Sequence, residues 1–279
     1  MNNNFDMDSA YNNAIKFTKL HYENFPVLSF LVPKKLQKHV AIIYQFAREA
    51  DDIADEGNKS VTQRIELLNS YETAFKNSLN GIFEKSFWMA LSNTIETQNL
   101  TSIYFSNLLI AFRQDITQTR YSTFEDLLHY CTHSANPVGR IILELNKITN
   151  NEAFYFSDKI CTALQITNFL QDVSIDFNKG RIYLPIAEMK KFGVTENIFL
   201  LKKINSNFQN LMEAQVQQVF EYFNEGKKLL PFLPFRLKHQ IKWTINGGEE
   251  ILKKIVKLDY NVLTLRPKFS KLDLLKLLS

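Results

Sequence analysis

Apolar residues recur at intervals of three and four along nearly the whole of this chain, a spacing that brings them to one face only if the backbone is helical. Leu36, Val40, Ile43, Tyr44, Ala47 and Ala50 mark one such face. The helix carrying them is expected to stop at Gly57 in DEGNK, where a left-handed residue meets no steric penalty. Just beyond, Ser60 and Gln63 have the spacing of a capping box for the next helix. Further helices are expected near 10–22, 61–79, 82–97, 101–118, 123–133, 137–148, 157–177, 195–225, 234–256 and 270–278. Only 181–184 reads as a short extended piece, and 8 Gly with 7 Pro leave little material for frequent tight turns. The expected fold class is all-α.

A length of 279 residues suits one large domain or two small ones. With neither an internal repeat nor a flexible linker, a single domain over 1–279 is the simpler parse. Hydrophobic residues at 45% and charged residues at 22% argue against disorder. The net charge of +4 is spread without a long basic run, so nucleic acid is not an expected partner. Cys131 and Cys161 stand far apart with no CxxC spacing, which implies neither a disulfide framework nor a zinc site, and a reducing cytoplasm is the default. The segment MNNNFDMDSA lacks a basic and apolar leader, and no apolar run approaches the 18 residues of a membrane span, so a soluble or at most peripheral protein is expected. The 23 Phe and 11 Tyr supply material for a large apolar cavity as well as a core.

Two acid-bearing segments stand out. In READDIADE, residues 48–56, five carboxylates crowd beside one arginine. Asp51 and Asp55 share a helix face about 6 Å apart along the axis, with Asp52 beside them. Such acids near a helix C-terminus oppose the helix dipole. They either form a solvated helix end or face a cleft where a cation neutralises them. Magnesium, which prefers oxygen ligands and is usually held by one or two carboxylates plus substrate phosphates, fits the second case.

The second segment is ALQITNFLQDVSIDFNKGRIYLP, residues 163–185. Gln165, Asn168, Asp172 and Asp176 form a polar stripe through apolar positions such as Leu164, Ile166, Phe169, Leu170 and Val173. Asn168, Asp172 and Asp176 offer oxygen donors at one-turn intervals, which suits metal ions set along a helix face. Lys179 and Arg181 follow, two cations suited to a phosphate already bridged by metal.

Two acid-rich helices, the second running into DxxxDxxxGRIYLP, resemble the squalene and phytoene synthase family of isoprenyl diphosphate enzymes. The likeness extends to HYENFPVLSFLVPKKL, AFRQD, YCTHSANPVGR, NGGEEIL and YNVLTLRPKFSK. HYENFP, SANPVGR and NFLQD together are most similar to the bacterial hydroxysqualene synthase branch of hopanoid and squalene formation. The resemblance implies an all-helical isoprenoid synthase fold with the acidic helices facing across a deep cavity and binding Mg²⁺ that coordinates diphosphate. Carried over by position, it implies metal roles for Asp51, Asp52, Asp55, Asn168, Asp172 and Asp176. It implies diphosphate-side roles for Tyr44, Arg48, Gln165, Lys179 and Arg181, and a cavity position for Tyr130. Tyr44 and Tyr130 would also offer aromatic faces to a carbocation.

The chain departs from the family pattern where Gln171 replaces an arginine before Asp172, and where HYENFP replaces an HxxSF-type segment. Both changes suit an enzyme handling one diphosphate rather than two. The implied substrate is presqualene diphosphate from a partner enzyme, with transient contact between the two, and the implied product is hydroxysqualene. Condensation of two prenyl diphosphates is the nearest rival, and a non-catalytic helical partner is an alternative of another class. No dinucleotide fingerprint is present, so no reduction by NAD(P)H is expected.

The five histidines, at 21, 39, 129, 133 and 239, show no paired-ligand spacing and are expected in surface or capping roles. Arg113, Gln114 and Asp115 either line a cavity or form a buried ion pair. Phe232, Leu233 and Phe235, around Pro231 and Pro234, either form a packed helix junction or touch a bilayer.

Overall fold

In a computed structural model, residues 6–21 and 32–269 are described. In chain order they form α1 (Met7–Leu20), α2 (Lys34–Asp55), α3 (Val61–Leu79), α4 (Ser86–Gln98), α5 (Ile103–Thr117), α6 (Phe124–Ser134) and α7 (Asn136–Leu145). Then follow α8 (Asn151–Gln171), α9 (Val173–Asn178), α10 (Ile186–Lys191), α11 (Asn197–Leu201), α12 (Ser206–Gly226), the 3-10 segment Lys227–Phe232 and α13 (Phe235–Lys257). Among the described residues there is no strand, so the all-α expectation holds. The extended piece at 181–184 is reduced to one parallel bridge between Arg120 and Ile182. No helix among the described residues is long and apolar enough to cross a membrane. The helix expected at 270–278 lies outside the described residues.

The local signals explain most of the helix ends. Ser60 and Gln63 form the expected capping box, each side chain bonded to the other's backbone N–H. Gly57 takes a φ of +76° just past α2. Where the expected ends were displaced, short polar side chains are the reason. Asn150 accepts from the N–H groups of Glu152 and Ala153 and starts α8 six residues before the expected position at 157. The helix expected over 195–225 is two, because Lys202 is left-handed and Asn205 caps α12 through the N–H of Phe208. The unexpected α10 begins directly after Pro185.

Contacts divide the described residues into two compact units, one of residues up to Thr117 with Arg140–Thr149, the other of Gln118–Gly139 with residues from Asn150 onward. In the first, α2 packs against α1, α3, α4 and α5. Its Ile42, Phe46 and Ala50 are fully buried. The Phe46 ring lies 5.2 Å from that of Phe75 and 5.5 Å from that of Phe105. A buried polar knot ties three helices here. The Tyr11 hydroxyl donates to the Ala90 carbonyl and sits 2.8 Å from Thr94 Oγ1, which lies 2.9 Å from His39 Nδ1. His39 is thus a buried, hydrogen-bonded histidine, in neither the surface nor the capping role expected, and burial lowers its pKa, with Lys38 and Lys147 adding to the effect. Arg113 pairs with Glu72 at 2.8 Å with both side chains partly exposed, so an ion pair forms but not the buried one among the alternatives.

In the second unit α8 is central, with α6, α12, α13 and the 3-10 segment against it. Ile160, Ala163, Ile166 and Leu170 of α8 are buried. The end of α12 reaches α8 through a glycine: a Cβ on Gly226 would come within 2.5 Å of Ile160 Cγ1 and 3.1 Å of the Ile160 backbone nitrogen. Cys131 and Cys161 are not joined in a disulfide, and burial, with Cys161 adding, pushes the Cys131 pKa up to about 12.

Two substitutions check this packing. Phe46→Ala should destabilise the protein by about 3–5 kcal/mol, the usual cost of emptying a buried aromatic site. Gly226→Ala should cost about 1–3 kcal/mol by overpacking against Ile160. Denaturant unfolding measures both, and values within 0.5 kcal/mol of the parent, a margin taken roughly from ordinary surface substitutions, would contradict the assignments.

Candidate active site

On α2, a residue every 100° sets Tyr44, Arg48, Asp51 and Asp55 on the side away from the buried stripe of Ile42, Phe46 and Ala50. All four, and Asp52, are half-buried. Arg48 serves two acids at once, with Nε 2.8 Å from Asp52 Oδ1 and Nη1 3.6 Å from Asp51 Oδ2. The Tyr44 hydroxyl points to the carbonyl of His21 at a long 3.4 Å.

Acids in a last helical turn add to the negative end of the dipole. A residue that the sequence reading passed over offsets this. The Arg64 guanidinium donates to the carbonyls of Ile53, Glu56 and Gly57 at 3.0, 3.2 and 2.7 Å. It therefore satisfies carbonyls left over at the end of α2 and places a full positive charge beside them. Its signal was weak, because Arg64 falls four residues after a capping serine, in a different helix.

The second acid set lies where α8 gives way to α9. A single helix over 157–177 was expected, but Asp172 leaves helical geometry with φ −105° and ψ 17°. The backbone bonding nevertheless continues through the break. The N–H of Asp172 donates to the Asn168 carbonyl at 2.9 Å, and the N–H of Asp176 donates to the Asp172 carbonyl at the same distance. Asn168, Asp172 and Asp176 thus keep their one-turn spacing across a helix boundary. Asn168 is exposed, whereas Gln165, Asp172 and Asp176 are half-buried.

Past α9, Gly180 takes a φ of +80° and reverses the chain, so that the N–H of Arg181 donates to the Asp176 carbonyl at 2.8 Å. Asp176 and Arg181 line one hollow with Phe169, Val173, Tyr183 and Phe199. The hollow is shallow and nearly filled, far short of the ~300–1,000 Å³ of a typical ligand cleft. Lys179 is exposed beside it in sequence. Tyr130 is buried among rings, 5.5 Å from Tyr121, 6.0 Å from Phe169 and 6.2 Å from Tyr183. Tyr183 stacks on Phe169 at 3.7 Å, which packs the wall next to the acid set.

Two neighbours of this set come from the far end of the chain. Arg266 grips Asp172 with both arms of its guanidinium, Nε to Oδ1 at 2.5 Å and Nη2 to Oδ2 at 2.9 Å. That pairing raises the Arg266 pKa further. Gln171 is buried, and its Nε2 donates to the Pro267 carbonyl at 2.6 Å. The residue that replaces the family's arginine is therefore committed to the chain's own backbone. The sequence had offered LRPK only as part of a resemblance, since 94 residues separate the two ends of the ion pair. The segment HYENFP lies outside the described residues from Tyr22 onward.

The sequence pattern of squalene/phytoene synthases matches residues 18–273. A hydroxysqualene synthase from Zymomonas mobilis is 38% identical over 177 residues, which span 62% of this chain and 58% of that protein's length. A chloroplastic phytoene synthase from Daucus carota is 25% identical over 272 residues, 95% of this chain and 68% of that protein. Among solved structures, squalene synthase HpnC from Alicyclobacillus acidocaldarius superposes with a TM-score of 0.86 at 35% identity, covering 91% of this chain and 96% of that one. A dehydrosqualene synthase in complex with ligand reaches a TM-score of 0.85 at 24% identity, with 98% and 95% coverage, and shares the fold. A match that runs through both acid segments and nearly the whole chain leaves no room for a chance likeness of one motif: the chain belongs to the squalene/phytoene synthase family of enzymes.

Proposed function

We propose that this enzyme ionises presqualene diphosphate and releases hydroxysqualene and inorganic diphosphate. The observation that carries the reading is 38% identity over 177 residues to the Zymomonas mobilis hydroxysqualene synthase, against 25% over 272 residues to the Daucus carota phytoene synthase. The inward-turned Gln171 supports it, because the position offers no cation for a second diphosphate.

The donors of both acid sets suit a hard divalent cation, being oxygens throughout, and Asp172 already holds a positive group. Among the described residues no three His, Cys, Asp or Glu side chains converge. Pairs of carboxylates completed by substrate phosphates are the usual magnesium arrangement, so the sets fit that ion. Asp51, Asp52 and Asp55 would hold it on α2, and Asn168, Asp172 and Asp176 at the α8–α9 break; bound there, magnesium supplies positive charge to the diphosphate oxygens.

Arg48, Lys179 and Arg181 add fixed positive charge, and Gln165 a neutral donor, to stabilise the diphosphate as it departs. The bond between the cyclopropylcarbinyl carbon and the diphosphate oxygen breaks with its electron pair on oxygen. The cation rearranges, water adds to it, and the added water loses a proton. Tyr44 and Tyr130 would face the cation with their rings. The rival reading, condensation of two prenyl diphosphates, differs in substrate and product and uses the same residues.

A peripheral membrane contact at the start of α13 belongs to the same proposal, since substrate and product are lipids. Leu233 is buried and Phe232 lies 6.2 Å from Phe156, so part of the junction is packed. Phe235, by contrast, is 75% exposed. Lys228, Arg236, Lys238 and Lys242 are exposed around it in sequence, and no acidic residue occurs from 226 to 248. A projecting ring among cations suits an anionic bilayer surface.

Asp51→Ala, Asp172→Ala and Asp176→Ala should each lower turnover at least ~100-fold with the helical circular dichroism unchanged. Purified protein with Mg²⁺ and either presqualene or farnesyl diphosphate, followed by identification of the lipid product, provides the assay. Hydroxysqualene from the first substrate supports the reading, and squalene, dehydrosqualene or phytoene from the second replaces it with the rival. Arg181→Ala should raise KM for the diphosphate substrate roughly tenfold, a loss typical of one charge-assisted contact; an unchanged KM and kcat would remove its role. Phe235→Ser with Lys238→Glu should reduce sedimentation with vesicles containing phosphatidylglycerol, and equal sedimentation would remove the membrane face.

A further inference from the structure

Asp172 holds a cation of the chain's own. The dipeptide Gln171–Asp172 takes hold of the dipeptide Arg266–Pro267 at two points, one ionic through Arg266 and one neutral through the Pro267 carbonyl. Both carboxylate oxygens of Asp172 are engaged, in the fork geometry that only arginine provides. Upstream, Asp259 and Tyr260 are left-handed and end α13, after which Val262 and Leu263 are buried. Beyond that anchor Leu265 is 50% exposed and the Arg266 side chain 33% exposed, whereas Pro267 is buried, so leaving Asp172 uncovers one proline ring and gives up its bond from Gln171 but no larger apolar surface. A divalent ion coordinated by the same two oxygens would sit a few ångströms from a guanidinium that never loses its charge. Two cations so close repel, so each weakens the other's hold on the carboxylate.

We propose that Arg266 is a positioning residue that occupies Asp172 until a divalent cation displaces it, so that metal loading at the second acid set and release of the Leu265–Lys268 tip are one event. The proposal rests on the reading of Asp172 as a metal ligand. In the unloaded enzyme the guanidinium holds the carboxylate in place and stands in for the ion. On loading, Arg266 is freed beside the acid set.

Mn²⁺ alone, titrated into the full chain and followed by the electron paramagnetic resonance of the free ion, tests this. An Asp51→Asn/Asp55→Asn background isolates the second set. Arg266→Gln should bind Mn²⁺ about 5–10-fold more tightly than the parent, the size of an ordinary coupling between two ligands. Arg266→Lys, which cannot fork, should fall between them. Gln171→Leu leaves both charged groups and loosens only Pro267, and should tighten Mn²⁺ by roughly twofold, a smaller coupling of the same sign. Amide exchange at 263–268 should accelerate on adding Mn²⁺ to the parent and be fast already in Arg266→Gln. Equal or weaker Mn²⁺ binding in a folded Arg266→Gln overturns the proposal. Should that variant lose its helical signal, Gln171→Leu and the exchange measurement decide, and no change in either overturns it as well. Asp172→Asn separates the two layers: unchanged Mn²⁺ binding there removes Asp172 as a ligand and the functional reading with it, whereas lost binding there with no effect of Arg266→Gln removes only the competition.

Discussion

A row of carboxylates along a helix is stable only where positive charge or bulk water meets it, and in this chain the positive charge is built in. Arg48 lies across Asp51 and Asp52 on α2, Arg64 collects the carbonyls at the end of that helix, and Arg266 closes on Asp172. Without such partners, like charges one turn apart repel by about 0.2–0.5 kcal/mol per pair even when exposed, and more when half-buried. The acid sets are thereby held ready on helices whose opposite faces are tightly packed. Such an arrangement lets a site keep a concentration of negative charge that the fold alone would not tolerate.

The packing behind each set is of a different kind. Behind α2 lie rings: Phe46 meets Phe75, Phe105, Tyr71 and Trp88. Around α8 the close approaches come from missing side chains, as at Gly226 against Ile160 and Gly248 against Phe223 and Leu164. Either solution resists rotation of the helix and so fixes the direction of its polar stripe. The polar knot of Tyr11, Thr94 and His39 does comparable work at the far side of the first unit, holding α1 and α4 to α2.

What could be read from residues alone was whatever depends on near neighbours. The helical class, the capping box at Ser60 and Gln63, the left-handed Gly57 and the spacing of both acid sets are all short-range patterns. The break at Asp172 was not legible, because Val173–Asn178 continues the helical pattern and the backbone bonds carry on through the interruption. Nor was the burial of His39, whose partner Thr94 is 55 residues away. Arg266 and Pro267 were hardest to place, because their contacts to Asp172 and Gln171 depend on the turn after α13, and no local periodicity encodes that turn. The family likeness reached those residues where physical reasoning from the sequence did not.

Arg266 stands three residues after the buried Leu263 and one before the buried Pro267, which is a very short leash. A group tied so closely is present at its target at an effective concentration on the order of millimolar, whatever the composition of the surrounding solution. Monovalent ions from the medium therefore meet a local rival with better geometry at that carboxylate. Only a species carrying a higher charge, or one arriving together with its own anions, has the advantage needed to take the seat. If Asp172 binds the ion proposed above, the leash would filter which cations gain entry, by chain length and not by the shape of a pore.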